Sequence, residues 1–106
     1  MWILKSTAKE GKKPVTFRLP PGAVKTIGRA PRADFIVDAL MVSRVHCRVS
    51  VTSPDRLELK DLRSTNGTFV NGRRVEHARL APGDLIRIGR MELAVSKDTK
   101  GESNGE

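Results

Sequence analysis

The chain has 106 residues, with 20 Lys and Arg against 12 Asp and Glu, for a formal net charge of +8. That length suits one domain able to bury a core without staples. A single Cys excludes an intrachain disulfide, so a reducing, cytoplasmic setting is expected.

The excess of cations points to an anionic partner, whether nucleic acid, lipid surface or phosphoprotein. Aromatics are only 4%, with no Tyr. Trp2, Phe17, Phe35 and Phe69 all fall in apolar, strand-like runs, where a core claims them. Single-strand binders set stacking aromatics among their basic residues, so nucleic acid ranks below phosphoprotein. The opening apolar run, Met1-Trp2-Ile3-Leu4, is too short for a signal peptide or a membrane span, and no membrane association is expected.

Residues 2–8 read as a first strand and Gly11-Lys12-Lys13-Pro14 as a turn. Residues 15–19 alternate apolar and polar, the period of a half-buried strand. Pro20-Pro21-Gly22 breaks the run, residues 23–27 form a third strand, and residues 28–34 a loop. Residues 35–37 are a short strand and 38–46 a second loop, with room for one helical turn at most over 34–42. Cys47, Val49 and Val51 then share one face of a cleanly alternating strand. Ser53-Pro54-Asp55 turns the chain into a second alternating strand, 56–60.

Two Asn-Gly pairs follow, five residues apart. Asn-Gly readily supplies the positive φ angles of a tight turn. Asn71-Gly72 lies between strand-like runs and reads as a two-residue hairpin. Asn66-Gly67 instead ends a longer polar stretch, Arg63-Ser64-Thr65-Asn66-Gly67, which leaves hydroxyls and an amide unused by any minimal turn. Residues 75–80 hold one or two short strands. Residues 85–88 and 91–95 pair around Gly89-Arg90. Residues 97–106 are polar and aperiodic and read as a disordered tail or linker. Many short strands between Gly and Pro turns indicate an all-β sandwich or barrel.

Three loops carry a similar mix of polar residues. They are Gly28-Arg29, Ser43-Arg44-Val45-His46, and Ser64-Thr65-Asn66-Gly67. Counting alternating strands places the second and third loops at one end. The same count separates the first from the second, unless residues 35–37 are too short to cross the sheet. Taken singly, Arg29 reads as a solvated cation, Ser43 as a turn residue, and Gly28 as a close-approach position.

The ordered set Ile27-Gly28-Arg29, Ser43-x-x-His46 and Ser64-Thr65-Asn66-Gly67-Thr68-x-Val70-Asn71-Gly72 resembles the forkhead-associated (FHA) domain. Leu80-x-Pro82-Gly83-Asp84-x-Ile86-x-Ile88-Gly89 is similar to that family's closing hairpin. The resemblance implies a sandwich of about eleven strands in two mainly antiparallel twisted sheets. It also implies a phosphothreonine-binding module with its loops at one end, in a domain spanning residues 1–96. By that resemblance Arg29 and Ser43 contact the phosphate, with Arg44 and Thr65 in support. Asn66 grips the peptide backbone, and Gly28, His46 and Gly67 structure the loops. The expected partner is a phosphothreonine protein made by an upstream Ser/Thr kinase and bound by a monomer, without cofactor or metal. Met41 departs from the basic residue some family members carry there. This favours an apolar over an acidic residue three places after the phosphothreonine.

The chemistry of these side chains suits the role. A phosphothreonine carries about two negative charges and three strong acceptor oxygens. Arg29 offers a planar fork of donors, while Ser43 and Thr65 offer short hydroxyls. Catalysis is not expected. His46 and Cys47 are neighbours in a strand and face opposite ways, Cys47 reads as buried and inert, and His77 has no partner at metal-ligand spacing. The competing reading is a basic nucleic-acid-binding or scaffold domain indifferent to phosphothreonine. A minor one is recognition of a phosphorylated Thr7 or Thr99 in termini that read as mobile.

Overall fold

The computed structural model describes residues 1–7 and 14–98. Eleven strands run through them: β1 (Trp2–Ser6), β2 (Thr16–Leu19), β3 (Val24–Gly28), β4 (Phe35–Ile36), β5 (Cys47–Ser53), β6 (Arg56–Asp61), β7 (Thr68–Val70), β8 (Arg73–Val75), β9 (His77–Leu80), β10 (Leu85–Ile88) and β11 (Met91–Lys97). One sheet has six strands in the order β2-β1-β11-β10-β7-β8, the other five in the order β4-β3-β5-β6-β9. The all-β sandwich expected from the alternation is what forms, and residues 34–42 hold no helix.

The alternation drives the packing. Leu4, Leu19, Ile27, Val49, Leu57, Leu59, Ile86, Ile88 and Leu93 are all fully buried between the sheets. Each such side chain contributes roughly 1.5–3 kcal/mol by leaving water. Phe17 of β2 stacks on Phe35 of β4 with centroids 4.3 Å apart and planes 5° from parallel, tying the two sheets along one edge.

The register decides which loops share an end. β4 is only two residues long and pairs parallel to β3, with Ile27 opposite Phe35 and Gly28 opposite Ile36. The chain therefore climbs β3, drops back beside it and climbs again without crossing the sheet. Ile27 also stands opposite Cys47, and Cys47 opposite Asp61. Loops 29–34, 37–46 and 62–67 thus emerge at one end, the apex. Ile88 opposite Thr68 brings the Gly89-Arg90 turn there too. The strand-count obstacle disappears because residues 35–37 are too short to span.

The segment 75–80, read as one or two short strands, holds the end of β8 and all of β9: β8 belongs to the six-stranded sheet and β9 to the five-stranded one, with Glu76 crossing between them. Two expectations are corrected. Lys97 is not tail but the last residue of β11, opposite Trp2. Its ammonium pairs with Asp55 and lies 5.7 Å from the Trp2 ring centroid. Thr7 is not a free terminus, since its N–H donates to the Glu92 carbonyl at 3.0 Å. Thr99, the rest of the expected tail and most of the expected turn at 11–14 lie outside the described residues.

Candidate functional site

The apex is built by extending the β3–β5 ladder into its loops. His46 N–H donates to the Ile27 carbonyl, Arg29 N–H to Ser43, and Ala30 N–H to Arg44, at 2.8, 3.0 and 3.0 Å. Gly28 is what lets the two loops close. A Cβ at that position would sit 2.1 Å from the Arg44 carbonyl oxygen and 2.9 Å from the Val45 Cα. No side chain fits between backbones at that distance.

His46 is fully buried behind this pair of loops. Its Nδ1 accepts the Ser43 N–H at 3.0 Å, and its Nε2 lies 2.9 Å from the Gly67 carbonyl. The first partner is a donor and the second an acceptor, which assigns the Nε2–H tautomer. One imidazole thereby positions the backbone of Ser43 on one loop and Gly67 on another.

The third loop hangs from Asp61. Its Oδ1 accepts the Ser64 hydroxyl at 2.6 Å and the Thr68 hydroxyl at 2.7 Å, and its Oδ2 accepts the Ser64 N–H at 3.1 Å. The Ser64 oxygen in turn accepts Gly67 N–H at 2.9 Å. Burial pushes the Asp61 carboxyl up, but the bonds from Ser64 and Thr68, with the nearby His46, outweigh it and hold its pKa below the ordinary value. Ser64 and Thr68 are buried. Ser64 is therefore scaffold, not part of the exposed polar surplus its sequence neighbours suggested. Sequence reasoning did not single out Asp61, whose one signal is an Asx-type spacing of three residues to Ser64.

On this frame the expected ligand-facing residues are brought together. Thr65 N–H donates to Ser43 Oγ at 2.9 Å, joining the second and third loops. Because that oxygen is accepting, the Ser43 hydroxyl hydrogen is left to donate, and it has no acceptor among the described residues. Arg29 is exposed and its Nε donates to the Val42 carbonyl at 3.1 Å, which fixes the head and leaves both Nη groups unengaged among the described residues. Asn66 Nδ2 donates to the Met41 carbonyl at 3.0 Å, crossing to the second loop and leaving Oδ1 as a free acceptor among the described residues. Met41 itself holds a positive φ of 73°.

Arg44 and Arg32 line, with Ala30, Pro31 and Val45, a depression of about 450 Å³. Arg29, Arg32, Arg44 and Arg63 are all exposed, and none is in an ion pair among the described residues. The apex loops thus carry exposed, unpaired cations beside the Ser43 hydroxyl.

Leu40 is 86% exposed beside Met41. Gly89 approaches this corner from the other sheet: a Cβ on it would lie 3.1 Å from the Leu40 carbonyl oxygen and 3.1 Å from Val42 Cγ2. The hairpin was legible in the sequence, but its place beneath the second loop was not. Cys47 is fully buried, and burial, reinforced by the Asp61 charge, pushes its thiol up to about 12. It is a core residue with no thiolate to offer near neutral pH. His77 Nε2 meets Glu58 Oε1 at 3.0 Å on the outer face of the five-stranded sheet.

The FHA domain family model matches residues 25–89, which span the three loops and β10, the first strand of the closing hairpin. The chain is 45% identical over 85 residues to the ABC transporter ATP-binding/permease protein Rv1747 of Mycobacterium tuberculosis, covering 80% of this chain and 10% of that one. It is 36% identical over 84 residues to the glycogen accumulation regulator GarA of Mycobacterium tuberculosis, covering 78% of this chain and 51% of GarA. The chain thus spans about half or less of the length of these two relatives. A solved structure described as a structural and functional analysis of phosphothreonine-dependent FHA domain interactions superposes with a TM-score of 0.79 at 35% identity. That superposition covers 92% of this chain and 96% of the other. The chain belongs to the FHA (forkhead-associated) domain family.

Proposed function

We propose that this chain is a phosphothreonine-dependent protein-binding module whose site is the apex formed by loops 29–34, 37–46 and 62–67. The observation that carries the reading is the Ser43–Thr65 bond at 2.9 Å. It joins the loops that carry Ser43 and Thr65, and the Arg29 N–H bond to the Ser43 carbonyl ties the loop of Arg29 to the same pair. Arg29 supplies charge-assisted donors to the phosphate from its free Nη groups, Ser43 donates its hydroxyl, and Thr65 and Arg44 add support from the sides. Asn66 accepts a peptide N–H at Oδ1, and peptide carbonyls compete with Met41 for its Nδ2. Gly28, His46 and Gly67 hold the loops and do not touch the ligand. FHA relatives whose interactions are described as phosphothreonine-dependent support the same reading. The bound protein is the product of a Ser/Thr kinase.

The test is an amide-shift titration of the chain with a phosphothreonine peptide library, set against unphosphorylated and phosphoserine versions. Shifts at Gly28, Arg29, Ser43, Arg44, Thr65 and Asn66 are expected with phosphothreonine alone. Shifts indifferent to the phosphate would sink the reading and favour nonspecific polyanion binding, which is steeply salt-dependent. Arg29→Ala removes a charge-assisted bond worth roughly 1.5–3 kcal/mol, so affinity falls at least about tenfold while the thermal midpoint stays put. Normal binding by Arg29→Ala would place the phosphate elsewhere.

A further inference from the structure

A second cationic surface lies one residue below the apex, on the outer face of the six-stranded sheet. Arg87 of β10 stands opposite Phe69 of β7, and Phe69 opposite Arg74 of β8. The alternation turns all three outward: Arg74 and Arg87 are exposed and Phe69 half-buried, while Thr68, Val70, Ile86 and Ile88 are buried. The Arg87 guanidinium carbon sits 4.3 Å from the Phe69 ring centroid, a cation–π contact that flattens the side chain onto the sheet. Arg74 runs the other way, toward the apex. A Cβ on Gly67 would come within 2.9 Å of its Nε and 3.3 Å of the Phe69 ring. Arg74 therefore covers the turn that follows Asn66 and makes this face continuous with the apex.

The row is short of acid. Neither Arg74 nor Arg87 has a carboxylate partner or a hydrogen-bond acceptor among the described residues. Glu92 stands directly opposite Arg87 in the register and makes no ion pair with it. Lys5 and Arg18 lie on the same face further down. Two guanidinium groups, Arg87 held on the Phe69 ring and Arg74 beside Gly67, with their donors unspent, make a receptor for carboxylates.

We infer that Arg74 and Arg87, set on either side of Phe69, form a second recognition site for an acidic segment of the same protein that presents the phosphothreonine. This inference rests on the phosphothreonine reading above and extends it. The apex takes the phosphate, and the Arg74–Phe69–Arg87 row selects partners that also carry Asp or Glu several residues away. Charge complementarity and continuity with the apex favour this occupant over nucleic acid, because the row offers only a half-buried ring for base stacking.

The experiment uses three phosphothreonine peptides of equal length: one with neutral flanks, one with an acidic tract before the phosphothreonine, and one with the tract after it. Affinities are measured by calorimetry at low and high salt for the native chain, for R74Q/R87Q and for Arg29→Ala. One acidic peptide is expected to bind the native chain about three- to tenfold tighter than the neutral one, the range for two exposed charge contacts. The double variant is expected to abolish that gain without changing the affinity for the neutral peptide. High salt should shrink the gain in the native chain. Equal binding of all three peptides by the native chain, or a gain that survives in R74Q/R87Q, would overturn this inference alone. Failure of every peptide to bind would overturn the phosphothreonine reading and this one with it. A loss in the double variant of affinity for duplex DNA, with the acidic gain intact, would reassign the row to nucleic acid.

Discussion

The two Asn-Gly pairs are written with the same letters and perform different tasks at opposite ends of the sandwich. Asn71-Gly72 joins β7 to β8 at the end away from the apex. Both residues hold positive φ, 53° and 83°, the pattern of a two-residue hairpin turn. Its surroundings are local: among the described residues the Asn71 side chain bonds Asp84 and Leu85, in and just after the neighbouring turn, and nothing lies within 4 Å of where a Gly72 Cβ would stand. Asn66-Gly67 enters β7 at the apex. Only Gly67 has positive φ, at 91°. Its carbonyl meets His46 and its N–H meets Ser64, while Asn66 reaches Met41. A self-contained turn needs only its own backbone angles. A turn tied to other segments also fixes their relative positions, and a binding apex requires that.

The comparison breaks most sharply at His46. His46→Ala empties a fully buried site and strands the Ser43 N–H and the Gly67 carbonyl, at a cost of about 2–4 kcal/mol. A thermal melt should drop by roughly 10 °C or more, and phosphopeptide affinity should fall with it. A melt within a degree or two of the native one would mean that the apex loops hold themselves. The glycines come next. Gly67→Ala and Gly72→Ala each force a side chain into the left-handed region, at about 1–2 kcal/mol. Only at Gly67 does the new methyl also meet Arg74 and Phe69. Denaturant unfolding should therefore rank Gly67→Ala below Gly72→Ala by about 1 kcal/mol. Equal losses would erase the difference between the turns.

The asparagines make a smaller, crossed effect. Asn71→Ala removes the ties to Asp84 and Leu85 at the far end and should cost about 1 kcal/mol, with phosphopeptide binding untouched. Asn66→Ala loses one exposed bond, so its melt should move by less than that, yet its peptide affinity should fall by about tenfold. Calorimetry and melts on the two variants test this together. Loss of binding in both, or in neither, would contradict the division of labour.

Much of this architecture is legible in the sequence. The alternation at Cys47, Val49 and Val51 marks β5 because a strand with one buried face must repeat every second residue. Asn71-Gly72 is legible because a hairpin is a local object. What escapes is non-local. β4 has two residues, too few to show any period, so its parallel pairing and the shared apex cannot be counted out from the chain. Asp61 reads as an ordinary strand-end carboxylate until Thr68, from the other sheet, is seen on the same oxygen as Ser64. Lys97 reads as tail because its charge hides its pairing with Asp55 and its contact with the Trp2 ring. The likeness to a known family supplies the shared apex that strand counting leaves open. It does not supply the row of Arg74, Phe69 and Arg87, which depends on the register of β7, β8 and β10.

Asp61 also gives the apex turn a pH signature. Its folded pKa is lowered: burial opposes this, but the hydroxyls of Ser64 and Thr68 and the Ser64 N–H all donate to the ionised form and prevail. A carboxyl lowered by folding stabilises the fold above its unfolded pKa of about 3.9. That stabilisation disappears as pH falls through the folded value. Asp34 and Asp55 are lowered as well, by Thr26 and by Lys97, and both are fully exposed. They contribute acid sensitivity of the same sign elsewhere in the molecule. Melts of the native chain should therefore decline below about pH 4, and Asp61→Asn should lose part of that slope while Asp34 and Asp55 keep the rest. The local readout is the Gly67 amide resonance, which sits one hydrogen bond from Ser64 and two from Asp61. It should titrate with Asp61 in the native chain and stop doing so in Asp61→Asn. A Gly67 amide indifferent to acid would mean that Ser64 holds the turn without Asp61, and the apex turn would then be as self-contained as its twin at the far end.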